Sequence, residues 1–141
     1  MLMARIQHNT KLNQLVVDLG RSLLQFVGEV SPWSPNNAGA AREAVARIVG
    51  SQRHNVEQLT ELLVERRCRV EFGVYPAAFT DLHFLSLKSL LPRIIASQDA
   101  LVAELDEAAH TCVDDPEAAV ALGEVLAAQR ASTEELRLLK L

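Results

Sequence analysis

Three polar side chains fall on the apolar stripes of an otherwise aliphatic sequence: Gln52, His83 and Gln129. An amide or imidazole on a core-facing line costs about 1–3 kcal/mol if it finds no hydrogen-bond partner. Such residues either bond to one another as a polar layer that fixes helix register, or they line a small polar ligand site. His83 is the member of the trio that could carry a proton or ligate a metal near neutral pH. Gln52, His83 and Gln129 are therefore the candidate ligand-binding residues, and both uses stay open at this point.

The other residue types that do chemistry are poorly placed for it. Of the four histidines, His8, His54, His83 and His110, only His83 points clearly inward; His8 does so if the first helix begins early. Glu43, Glu57, Glu61 and Glu65 turn more than about 130° from the stripe of their helix, and Glu117, Glu124, Glu134 and Glu135 at least about 120° from theirs. Asp18 and Glu29 only flank a stripe. The one Glu-x-x-His, Glu107 to His110, sits on the outer side of a helix end. Cys68 lies among Arg66, Arg67 and Arg69, whose guanidinium groups would lower a thiol pKa, but it also sits at a helix C-terminus, which raises it. Cys112, beside His110 and Asp114, is a weaker nucleophile. The six glycines are scattered and form no phosphate-cradling G-x-G or G-K-[ST] group. The spacing predicts no catalytic residue, no metal ligand set and no cofactor.

Helices must position these residues. Leu12, Leu15, Leu19, Leu23, Phe26 and Val30 recur at steps of three and four, which predicts an amphipathic helix over about 9–30. It ends at Ser31-Pro32-Trp33-Ser34-Pro35, since proline disfavours helix in the residue before it. Ala41, Val45, Ile48, Gln52, Val56, Leu59 and Leu63 predict a second helix over 38–67. Cys68 to Tyr75 breaks the period; a single extended stretch has no partner strand there, so it reads as a loop. A third helix is expected over 76–110, opened by Pro76 and kinked near Pro92. Asp115-Pro116-Glu117 reads as N-cap, first-turn proline and dipole-favourable acid, opening a fourth helix over 116–139.

Short matches relate the second and fourth helices (Ser51-Gln52-Arg53 with Ala128-Gln129-Arg130) and the first and third (Ser22-Leu23-Leu24 with Ser89-Leu90-Leu91). The chain then reads as one all-α domain over 1–141, an antiparallel up-down-up-down four-helix bundle, with an origin in two repeated helical hairpins left open. In helix number, helix length and this half-repeat it resembles the ferritin-like and DinB-type four-helix bundles. The ferritin-like resemblance implies a Glu from each of two helices and a Glu-x-x-His from each of the others; the DinB-type resemblance implies three histidines on different helices. The sequence departs from both patterns.

Composition narrows the function. With 14 Lys+Arg against 18 Asp+Glu, a formal charge of -4 and no clustered basic face, nothing predicts nucleic-acid binding. Apolar runs such as Leu15-Val16-Val17 are far short of a membrane span, and Met1 to Lys11 carries no export signal. Two cysteines make no disulfide framework. The chain is thus read as a cytoplasmic, non-catalytic helical bundle acting through oligomerisation or protein interaction. The alternative is a small-molecule-binding or metal-dependent enzyme with a polar site in the core. Leu24, Val27, Phe84 and Ile95 lie off the predicted core stripes and suggest a second apolar face, hence a homodimer.

Overall fold

The computed structural model describes residues 2–141 and contains helices and no strand among them. Five α-helices follow one another: α1 (Leu2–Gly20), α2 (Leu23–Val30), α3 (Gly39–Glu65), α4 (Leu87–Thr111) and α5 (Pro116–Arg137). Short 3-10 turns cover Asn36–Ala38 and Ala77–Leu82. No helix among the described residues is long and apolar enough to cross a membrane.

The stripe predicted over 9–30 is two helices. After Gly20 the chain turns, and Ser22 takes an extended conformation and caps α2, its Oγ accepting from the Gln25 N–H. Ser22-Leu23-Leu24-Gln25 matches the S-x-x-Q start signal of a helix. The break resets the helical phase. Leu24 and Val27, expected on an outer face, are 0% and 2% exposed, whereas Val30 is 36% exposed. The start at Leu2 also turns His8 inward, where it is buried.

α3 ends with Arg67 in the left-handed region, the Cys68 N–H bonding Leu63 O and the Arg67 N–H bonding Val64 O. This double closure satisfies carbonyls that a helix end leaves free. The chain then climbs the side of α1. Asn13 holds the Glu71 backbone at both its N–H and its carbonyl, each at 3.0 Å, and the Arg21 Nε donates to Gly73 O. Gly73 has φ 69°, and a Cβ there would stand 2.7 Å from Val17, so this position admits glycine alone. Residues 76–86, expected as the start of the third helix, form a 3-10 turn and a cap instead: Ser86 accepts from the Ser89 N–H and α4 starts at Leu87. α4 runs without a break through Pro92, whose missing N–H removes only one bond, near the start of the helix.

The crossing segment corrects the expected alternation of helix directions. α3 and α4 begin at the same end, where the Leu87 N–H bonds Trp33 O, and finish together at the other, where Arg66 meets Asp115. The order is up, down, down, up, because the connection between α3 and α4 traverses the molecule rather than turning back. α1 and α5 each pack on both α3 and α4. Two apolar clusters fill the interior. One, toward the α3 C-terminus, gathers Leu12, Leu15, Leu59, Leu63, Leu105 and Leu122 with their neighbours. The other, toward the α3 N-terminus, gathers Leu24, Val27, Ile48, Leu90, Ile94 and Leu136.

Candidate functional site

Between those apolar clusters lies a layer of amides: Gln25 from α2, Gln52 and Asn55 from α3, Gln98 from α4 and Gln129 from α5, all buried. Gln52 and Gln129 were within reach of periodicity, being i+4 from Ile48 and Val125. Gln98 is i+4 from Ile94 and obeys the same rule. Gln25 was hidden by the helix break, which changes the face it presents.

The amides bond chiefly to one another. Gln52 Nε2 donates to Gln98 Oε1 at 2.9 Å and to Gln129 Oε1 at 3.4 Å; Gln129 Nε2 donates to Gln98 Oε1 at 3.0 Å. Gln52 Oε1 accepts from Gln25 Nε2 and from Ser22 Oγ, both at 2.9 Å, and Asn55 Nδ2 donates to Gln129 Oε1 at 3.3 Å. Gln25 Nε2 also reaches Val49 O, and Gln25 Oε1 accepts from Arg53 Nε at 3.1 Å. A directed chain therefore runs inward from the Arg53 guanidinium through Gln25 and Gln52 to Gln98. At its inner end Gln98 Nε2 is buried with no acceptor among the described residues.

His83 is not part of this layer. It caps the 3-10 turn on the surface, its Nδ1 against Thr80 O and its ring against Phe84. The helix that would have carried it inward begins only at Leu87, so the expected trio is a pair.

A second buried polar group closes the C-terminal end of α3. Arg66 donates to Asp115 Oδ1 at 2.6 Å and to Asn9 Oδ1 at 2.7 Å, while His8 Nδ1 lies 3.2 Å from Asp115 Oδ2. Burial by itself would raise the Asp115 carboxyl; hydrogen bonds from Arg66, His8 and the Ala118 N–H outweigh it and hold the pKa below the ordinary value. Asp115 also caps α5, as its sequence context predicts. Nearby, burial first and then the charges of Asp115 and Asp114 push the Cys112 thiol up, away from the reactive thiolate. Half-way up α1, Glu104 meets Asp18 and lies 3.6 Å from Lys11; burial and the Asp18 hydrogen bond push its pKa up to about 7.

No family model, curated protein or solved structure matches the chain. What the site can do rests on its own chemistry. Among the described residues no three of His, Cys, Asp and Glu come together as a metal site. The central positions offer neutral amides, not the anionic oxygens and imidazoles that a pair of iron or manganese ions requires, and the amide oxygens are already occupied by N–H donors. The di-metal centre implied by the ferritin-like resemblance does not fit these residues.

Proposed function

We propose that the chain is a four-helix bundle of the ferritin-like type whose centre is structural, and that it acts without catalysis by associating with a protein partner or a second copy of itself in the cytoplasm. One observation carries this reading: the core polar positions are amides that bond chiefly to one another, with Gln98 Nε2 the one side-chain nitrogen of the layer left without an acceptor among the described residues. A neutral layer of this kind fixes which helices face one another and at what register. It supplies no nucleophile, proton carrier or Lewis acid.

The chain path supports the ferritin-like reading. Counting α1 and α2 as one broken helix gives four helices with one long crossing connection, the topology of ferritin-like folds. Gln25, Gln52-x-x-Asn55, Gln98 and Gln129-x-x-Ser132 repeat the spacing of that family's ligands, with amides in place of carboxylates and Asn or Ser in place of His. Association through a surface draws support from Trp33 and Phe84, which are 71% and 83% exposed near the end where α4 begins.

Metal analysis of protein purified without chelator, together with its mass by light scattering, tests this. The expected result is less than about 0.1 equivalent of iron, manganese or zinc and a mass above that of one chain at high micromolar concentration. Stoichiometric metal overturns the structural reading of the centre, and a strict monomer that retains no partner overturns association.

Gln98 favours a second reading, in which a small polar ligand accepts from its unpaired Nε2. It predicts stabilisation by that ligand in a thermal-shift screen, lost on Gln98→Leu.

A further inference from the structure

Beside the outer end of the amide chain runs a groove of about 310 Å³ between α2 and α3. Its wall is Val27, Val45, Val49 and Leu87, with Arg42 and Arg53 also lining it and no carboxylate among its lining residues. That sets it apart in a chain of net charge -4. Four other grooves each hold acid: Glu71 in one, Glu29 and Glu57 in another that Arg53 also lines, Asp18 and Glu104 in a third, Asp114 and Asp115 in a fourth.

Neither arginine is neutralised. Among the described residues no carboxylate oxygen lies within salt-bridge distance of Arg42 or Arg53, although nine other Arg, Lys and His residues have such a partner. Both are nonetheless held in place by neutral acceptors. Arg53 Nε donates to Gln25 Oε1 at 3.1 Å, and Arg42 Nη1 donates to Ser34 Oγ and Pro35 O, each at 2.8 Å. Arg53 keeps both Nη groups, and Arg42 its Nε and Nη2, without acceptors among the described residues. A guanidinium positioned this way presents a fork that fits a carboxylate.

We propose that this groove binds a small amphipathic anion, a carboxylate on Arg53 with its apolar chain laid along Val27, Val45, Val49 and Leu87. Such a site needs an apolar wall and a few placed polar groups, and a volume near 300 Å³ is at the lower end for ligand pockets. At about 30 Å³ per water-sized group, the groove holds about ten non-hydrogen atoms. Octanoate has that size. The proposal is independent of the structural role of the amide layer, which the anion does not enter.

Isothermal titration of the full chain with octanoate, 1-octanol and acetate tests it. Octanoate is expected to bind with a Kd on the order of 0.1 mM, and 1-octanol and acetate at least about tenfold more weakly, because each lacks one half of the match. Ala46 lines the groove, is exposed and has no part in the amide layer. Ala46→Phe fills the space and should abolish octanoate binding while leaving the circular dichroism melt unchanged. Arg53→Met should weaken octanoate about tenfold and leave 1-octanol unaffected. Equal binding of octanoate and 1-octanol, or binding that survives Ala46→Phe, overturns the proposal. So does a failure of octanoate to bind at millimolar concentration. If Ala46→Phe instead converts a dimer to a monomer in sedimentation, the groove is an interface between copies and the small anion is not its occupant.

Discussion

The two buried polar groups of this all-helical fold solve the same problem in opposite ways. At the centre, amides from four helices share neutral hydrogen bonds, and Gln98 Oε1 and Gln52 Oε1 each accept two. At the end of α3, one arginine and one aspartate carry full charge, and Asp115 takes bonds from Arg66, His8 and the Ala118 N–H at once. The neutral layer is redundant, so loss of one member leaves most others a partner. The charged cluster is not. Removing one ion strands the other in a site where water cannot replace it.

The largest expected effect follows from that contrast. Arg66→Met leaves the Asp115 carboxylate buried and short of its main partner, and should destabilise the chain by about 3–5 kcal/mol in urea unfolding. The pH dependence has a definite sign. The folded Asp115 pKa is depressed, so its contribution is present above the unfolded value of about 3.9 and is lost as pH falls through the folded value. Asp115→Asn should flatten the acid limb of the stability profile below about pH 4; an unchanged limb would place the acid sensitivity elsewhere.

Gly73 gives the next effect. Gly73→Ala forces a side chain into positive φ and against Val17, and should cost about 1–3 kcal/mol. It should also free the crossing segment, read as faster amide exchange at residues 70–75.

A single amide change is smaller. Gln52→Leu removes a donor from Gln98 and from Gln129, but these keep bonds from Gln129 and Asn55 respectively. A loss near 1 kcal/mol is expected, at the low end for a buried hydrogen-bonding partner. An effect of similar size, confined to high pH, is expected at Glu104, whose pKa of about 7 lies above the ordinary glutamate value. Its protonated form is the one the fold prefers, so stability is full below about pH 4.3 and is lost as pH rises through 7. Glu104→Gln should stabilise the chain at pH 8 by about 1 kcal/mol, after allowance for its partial exposure, and by almost nothing at pH 4. Melts at the two pH values read the difference.

These regions were unequally legible in the sequence. Periodicity carries Gln52, Gln129 and Gln98 because a long helix with a regular stripe ties spacing to facing. It fails at Gln25, because the two-residue turn at Arg21-Ser22 shifts the phase. The same phase shift buries Leu24 and Val27, which spacing alone puts on an outer face. Spacing turns His83 inward, but Ser86, not Pro76, opens α4, and a 3-10 turn has a different period from an α-helix. The Asp115 cap was visible as a local signal, whereas its pairing with Arg66 depends on α3 and α4 ending at the same place. That in turn depends on the path of the crossing segment, whose hydrogen bonds to Asn13 and Arg21 are long-range and leave no periodic trace. Topology was therefore the least legible feature, although it is what brings the four glutamines together.

The central claim is that the amides form a self-satisfying structural layer, and the link through Gln98 tests it most directly. Gln52→Leu and Gln129→Leu each leave Gln98 Oε1 one donor; together they leave it none. Chemical denaturation of both single variants, the double and the triple with Gln98→Leu should show a double loss exceeding the sum of the singles by about 1 kcal/mol or more. The third substitution should then recover part of it, since it removes the Gln98 amide that the other two leave without a partner. Strict additivity, with no recovery in the triple variant, would contradict the account.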